Sequence, residues 1–340
     1  MLNTVYRLVA PRRIEVEFNE INVDQETLIV RPKYLSICNA DQRYYQGNRP
    51  AEVFLNKLPM ALIHECAGQV VYDPKGEYKP GTPVVVVPNT PTEEDALYGE
   101  NYLPSAKFRG SGFDGFMQDT IASKRDRVIP LPTGIHPYVS AFTEFVSVGV
   151  HAIGRFDQIA HHKRDQIAVF GDGNLGYVVA TLYHALHPEA EISVIGLNED
   201  KLQNFTFAHG YLAHELPKDF AFDHGFECVG ANGSEIAINQ LIDHIRPEGT
   251  ISLLGVSEQK SAINTRMVLE KGLRLFGSSR SGREDFLRVM EIYHKYPKVM
   301  SDLEQIVGTV IPVKNIDDMH RAFEADIHKS MGKTIMEWLV

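Results

Sequence analysis

The apolar positions of the chain follow two different rhythms. Up to about residue 140 they come in short Val- and Ile-rich runs cut by Pro and Gly, such as "ETLIVRPKYLSI", "AGQVVYDP", "GTPVVVVP" and "DRVIPLP". Such runs suit half-buried strands closed by turns, and together they predict an irregular antiparallel barrel. From about residue 160 short apolar runs alternate with stretches of helical periodicity: "QIAVFG", "EISVIG", "YLAHEL", "HGFECVG", "GTISLLG" and "LRLFGSS". Six strands in this alternation predict a doubly wound parallel sheet of the α/β class. After "GSSRSG" come a helix, "REDFLRVMEIYHKY", a β-like "GTVIPV", and a last helix and strand. This tail is too short for a core of its own, so it is expected to pack back on the first domain. The expected domains are therefore 1–146, 147–280 and a return segment 281–340, with the irregular stretch 89–112 as a lobe or lid.

A chain of 340 residues exceeds one ordinary core, in keeping with two domains. Its three cysteines, Cys38, Cys66 and Cys228, are too few and scattered for a disulfide framework, which fits a reducing, cytoplasmic setting. "MLNTVYRLVAPRRIEV" breaks any secretory apolar run with charge, and no later run approaches about 18 uncharged apolar residues, so neither export nor a membrane partner is expected. A net charge of −10, with both signs mixed along the chain, argues against general nucleic-acid binding. Local basic clusters still suit a phosphorylated small molecule.

"VFGDGNLGY" places Gly171, Gly173 and Gly176 in G-x-G-x-x-G spacing between a strand and an apolar-periodic helix. In that context the pattern reads as a dinucleotide loop: a tight turn, a close backbone approach to pyrophosphate, and helix amides facing it. About twenty residues further on, where an NAD-selective site carries Asp or Glu, stands Gly196, followed by "LNEDK". The missing carboxylate leaves room for the 2′-phosphate of NADP, with Lys201 as a source of charge. NADPH is the expected cofactor, although Glu199 or Asp200 turned inward would restore NAD preference, and Lys201 also reads as a solvated helix residue.

Cys38, His64 and Glu65 in "LIHECAG", and Glu144 in "AFTEFVSVGVHA", supply sulfur, imidazole and carboxylate, the donors of a catalytic zinc with an open position. Taken singly, each also reads as an ordinary core or surface residue. "HECAG" lacks the second His of a zinc-protease motif.

Combined with the dinucleotide loop, "SICNAD", "HECAG", "YKPGTPVVV", "DGFMQDTIASKRDRVIPLP" and "FECVG" resemble the medium-chain, zinc-dependent alcohol and polyol dehydrogenases nearly end to end. The resemblance implies a GroES-like barrel joined to a Rossmann sheet. It also implies zinc on Cys38 and His64 with Glu144 at the third protein position, and Glu65 either binding zinc directly or holding the water of the open position. Asp41 would orient the zinc-bound imidazole. Asn174, Leu175, Cys228 and Gly255 would join the loop glycines at the cofactor. One zinc is expected, because 89–112 has no cysteine for a structural four-cysteine site.

Two departures matter. Ile63 stands where relatives usually have Gly, and Ala40 where they begin a proton relay with Ser or Thr. Tyr44 is the first alternative proton donor, ahead of Glu65 through a bound water or a substrate hydroxyl. Arg43, Arg49, Lys57, Lys107 and Arg109 concentrate near the expected site, and guanidinium forks suit a phosphate; Arg43, Arg49 and Arg109 are the leading candidates. Each alone also reads as a surface charge. Arg280, just after the last sheet strand, is a further candidate for contact with either cofactor or substrate.

At finer grain, "SICNADQRYYQG", "VVPNTPTE", "GDGNLGY", "NTRMVLEKGL" and "GSSRSG" are similar to the ribulose-5-phosphate reductase group. This implies reduction of D-ribulose 5-phosphate by NADPH to D-ribitol 5-phosphate, with a cytidylyltransferase acting next in teichoic acid or capsule synthesis, and a homodimer. The alternatives are an NAD-dependent polyol dehydrogenase acting on an unphosphorylated sugar, a zinc-free quinone reductase, and a nucleotide-binding protein without catalysis.

Overall fold

The computed structural model describes residues 1–340, which form two compact units: Met1–Ser147 with Ser281–Val340, and Val148–Arg280. No helix is long and apolar enough to cross a membrane.

In the first unit Leu2–Ala10 and Arg13–Glu20 make an antiparallel hairpin. The main sheet runs Val128–Pro130, Pro83–Val86, Glu65–Tyr72, Thr27–Ser36, Lys333–Trp338 and Val307–Val313, with Ile121–Lys124 also paired to Thr27–Ser36. Leu28, Val30 and Leu35 enter one core with Val70, Val84, Val86, Ile121 and Trp338. The last two strands are parallel, and the helix Ile316–Ile327 provides the crossover that such a pair requires.

The register of the central strand, Thr27–Ser36, determines which side chains meet at its end. Ser36 pairs with Glu65 on one side and with Ile335 on the other. Cys38 follows Ser36 by two residues, His64 immediately precedes Glu65, and Lys333 precedes Ile335 by two. Three neighbouring strands thus bring their chemistry to one end of the sheet.

In the second unit Gln166–Phe170, Glu191–Gly196, His209–Leu212, His224–Glu227, Thr250–Leu253 and Arg274–Gly277 are all parallel. Numbered along the chain, they lie in the order 3-2-1-4-5-6. The third strand starts earlier than the apolar run "YLAHEL" predicts. Ala213 makes the last ladder bond, its N–H to the Gly196 carbonyl at 2.8 Å, and Glu215 then turns back on Leu212 at 2.9 Å, so the chain leaves the sheet there. Ala168, Phe170, Ile195 and Ile251 pack against Leu241, Ile242 and Ile245. The order reverses beside the first strand, so the carboxyl ends of the first and fourth strands flank a dinucleotide crevice.

His224 is a fully buried polar residue of this sheet. Its Nδ1 accepts the Thr250 N–H at 3.0 Å, leaving Nε2–H to donate to the Lys163 carbonyl at 3.0 Å, so the ring is neutral. Burial, and then the neighbouring His161, pull its pKa down to about 4. The unfolded chain therefore binds the extra proton first. Stability associated with His224 is complete above about pH 6.5 and declines by up to about 3 kcal/mol as the pH falls towards 4. Thermal unfolding followed between pH 7 and 4 should show this slope, and His224→Gln should flatten it; equal slopes for both proteins would refute the assignment.

Candidate active site

Cys38 is the N-cap of the short helix Asn39–Tyr45, and its N–H donates to Asp41 Oδ2 at 3.1 Å, as an acidic residue at the third helical position allows. The other oxygen, Oδ1, accepts the Ile63 N–H at 3.0 Å and stands 3.5 Å from His64 Nδ1. One carboxylate therefore ties the segment of Cys38 to the segment of His64. Ile63 itself is fully buried with φ 72°, in the left-handed region that β-branched residues seldom enter. Its carbonyl accepts the Phe116 N–H at 2.8 Å, so the residue is held from both sides.

Donor atoms of Cys38, His64 and Glu65 all lie within 4.8 Å of one another. Glu65 is buried; its Oε1 accepts from Lys333 Nζ at 2.7 Å, while Oε2 is buried with no protein partner. Burial alone would lower the pKa of His64, but Asp41 and Cys38 outweigh it and raise it well above the ordinary imidazole value. Such a potential calls for positive charge among the three donors. Thiolate, imidazole and carboxylate with an orphaned carboxylate oxygen fit zinc.

Glu144, in the first turn of Thr143–Ile159, lies outside the three-donor group. It is buried, and burial pushes its pKa up to about 7, with His64 and Lys333 pulling down and Glu65 and Asp41 pushing up. Lys333 is a site residue that sequence reasoning missed. Burial works to lower its pKa, but Glu65 and then Cys38 raise it, and Nζ also sits 4.6 Å from the centre of the Phe145 ring.

The residues expected at the substrate separate in the structure. Tyr44 is buried, edge-on to Phe54, with the Arg49 guanidinium 4.8 Å from its ring centre. Arg43 and Arg49 are half-buried around this helix. Arg109 donates to the carbonyls of Ala122 at 2.7 Å and Asp114 at 3.4 Å, and burial pulls its pKa down to about 10. Lys57 donates to Ser111 at 3.0 Å, and Lys107 and Arg280 are exposed.

In the second unit a Cβ on Gly171 would meet the Cys228 backbone at 2.9 Å, and one on Gly176 would meet the Gly171 carbonyl oxygen at 1.9 Å. A Cβ on Gly173 would meet nothing within 4 Å. The outer two glycines are required by packing, while Gly173 borders open space at the start of the helix Asn174–Leu186, suited to a pyrophosphate. Lys201 gives its N–H to Asn198 at 3.1 Å, and Glu199 and Asp200 are exposed.

Cys228 and Gly255 lie on loops organised by Glu227, a buried carboxylate that sequence reasoning passed over. Glu227 Oε1 accepts from Val229 N–H at 3.0 Å, Gly230 N–H at 2.8 Å and Ser234 Oγ at 3.1 Å, and Oε2 accepts from Gly255 N–H at 2.9 Å. Burial drives the Cys228 thiol well up, so it stays protonated. An acidic residue closing an apolar strand, "HGFECVG", was the available clue.

Residues 24–133 match the alcohol dehydrogenase GroES-like domain, and residues 210–295 match the zinc-binding dehydrogenase domain. The chain is 50% identical to the ribulose-5-phosphate reductase of Bacillus spizizenii over 99% of both chains. It is 49% identical to ribulose-5-phosphate reductase 1 of Staphylococcus aureus over the whole of both. The crystal structure of S. aureus TarJ in complex with NADPH superposes with a TM-score of 0.90 at 45% identity, covering both chains completely. On its sequence and its fold alike, the chain belongs to the zinc-binding alcohol dehydrogenase family with a GroES-like domain, within the group of the ribulose-5-phosphate reductases.

Proposed function

We propose that the chain is an NADPH-dependent, zinc-assisted reductase that converts D-ribulose 5-phosphate into D-ribitol 5-phosphate. The three-donor cluster of Cys38, His64 and Glu65 carries this reading, in a chain about half identical to ribulose-5-phosphate reductases from end to end. When bound, zinc supplies a Lewis acid for the ketone oxygen and NADPH the hydride for its carbon. The remaining work falls to side chains. Cys38, His64 and Glu65 hold the metal, Asp41 orients the imidazole, and Lys333 fixes the Glu65 carboxylate through its Oε1. Ala40 offers no hydroxyl and the Tyr44 ring is committed to packing, which leaves Glu144, a buried carboxyl whose pKa burial pushes up to about 7, to hold the proton for the new alcohol.

Arg43 and Arg49, half-buried around the helix that follows Cys38, are assigned to the substrate phosphate, and Arg109 is assigned a structural part through its bonds to two protein carbonyls. Gly171, Gly173 and Gly176, with the amides of Asn174 and Leu175, hold the cofactor pyrophosphate, and Gly196 replaces the carboxylate of NAD-selective sites. The product would pass to a cytidylyltransferase for CDP-ribitol, serving teichoic acid or capsule, with the enzyme acting as a cytoplasmic homodimer.

Initial rates with NADPH or NADH, on ribulose 5-phosphate or free ribulose, test the proposal. The pair of NADPH and ribulose 5-phosphate should far exceed the other three. Equal use of the free sugar would sink the phosphate assignment, and faster turnover with NADH on free sugars would favour a polyol dehydrogenase.

A further inference from the structure

The second strand of the parallel sheet ends at Gly196, the position from which an acidic side chain would reach the adenosine ribose. No side chain starts there, yet the space is filled. Asp172, between the first two loop glycines, brings its carboxylate to the same point. A Cβ on Gly196 would meet Asp172 Cβ at 2.5 Å and Oδ2 at 2.6 Å. Oδ2 also accepts two successive amides, Leu197 N–H at 2.8 Å and Asn198 N–H at 2.9 Å. Two amides converging on one oxygen make a small anion site, and its occupant is the chain's own carboxylate. Gly196 and Asp172 are therefore interdependent, because any larger residue at 196 would collide with Asp172.

We infer that Asp172 sets the discrimination between NADPH and NADH, acting as a ribose-side carboxylate supplied by the glycine loop instead of the strand end. It opposes the 2′-phosphate by charge, and it occupies the two amides that a phosphate would otherwise use. Towards an unphosphorylated ribose the same carboxylate is an acceptor for hydroxyls. The expected outcome is a preference for NADPH over NADH that is smaller than the missing strand-end carboxylate alone would give. This rests on the proposed function, in which the loop binds NADPH.

The test uses full-length protein and Asp172→Asn, which keeps an oxygen for the Leu197 and Asn198 amides and removes only the charge. NADPH and NADH binding are measured by nicotinamide fluorescence, and 2′,5′-ADP and 5′-AMP by displacement of the bound dinucleotide. The affinity ratio of 2′,5′-ADP to 5′-AMP should rise about fivefold or more in the variant, with NADPH favoured over NADH in parallel. An unchanged ratio overturns the proposal. Asp172→Ala distinguishes a structural part: equal loss of all four ligands would overturn the specificity role, whereas a ratio shifted as in Asp172→Asn supports it. If wild-type protein binds NADH but not NADPH, the proposed NADPH dependence falls together with this inference; if NADPH binds and only the ratio stays fixed, the inference alone falls.

Discussion

Cys38→Ser should lose most of its zinc and about a thousandfold or more of its kcat/KM for ribulose 5-phosphate, since Lewis-acid stabilisation is worth several kcal/mol and each step of about 1.4 kcal/mol is tenfold. The fold should survive. Cys38 is a helix N-cap at partial exposure, and Ser is among the preferred residues at that position. Melting temperature, zinc content by elemental analysis and steady-state rates on one preparation separate the two effects. Full zinc occupancy with an unchanged rate would remove Cys38 from the metal site, and with it the chemical core of the proposed function.

The second large effect concerns stability. In Lys333→Met the buried Glu65 carboxylate loses its ammonium partner, and breaking such a pair from one side costs about 3–5 kcal/mol. Adding Glu65→Gln should recover much of this loss, because the uncompensated charge is gone, but should leave activity low. The non-additivity of the two single changes measures the coupling directly. A Lys333→Met protein that melts with the wild type would show that the pair contributes little.

These two residues also mark where the sequence was readable and where it was not. The six parallel strands were legible because each is a short apolar run closed by turn chemistry, information carried within a few residues. The third was expected to run further than it does, since "YLAHEL" still offers apolar Ala213 and Leu216 after the backbone has turned away. Cys38 and His64 stood out only through motif resemblance, as composition alone left each an ordinary core residue. Lys333 had no local mark at all. Its meaning comes from the pairing of Ser36 with both Glu65 and Ile335, and register between distant segments is not written in any one of them. Asp172 was hidden for the same reason, its partners lying 25 and 26 residues away. The N-terminal hairpin was overlooked despite alternating positions along both strands.

Ile63 has a wider consequence. A buried β-branched residue held at positive φ stores about 1–3 kcal/mol that the surrounding sheet must sustain. Its amide is gripped by Asp41, and its carbonyl is held by the Phe116 amide. Because His64 is the next residue, the direction of its imidazole depends on the tension being maintained. On the proposed function, metal affinity would thereby be coupled to the rigidity of the barrel, and substitutions remote from every donor atom would loosen a bound ion by letting one peptide relax.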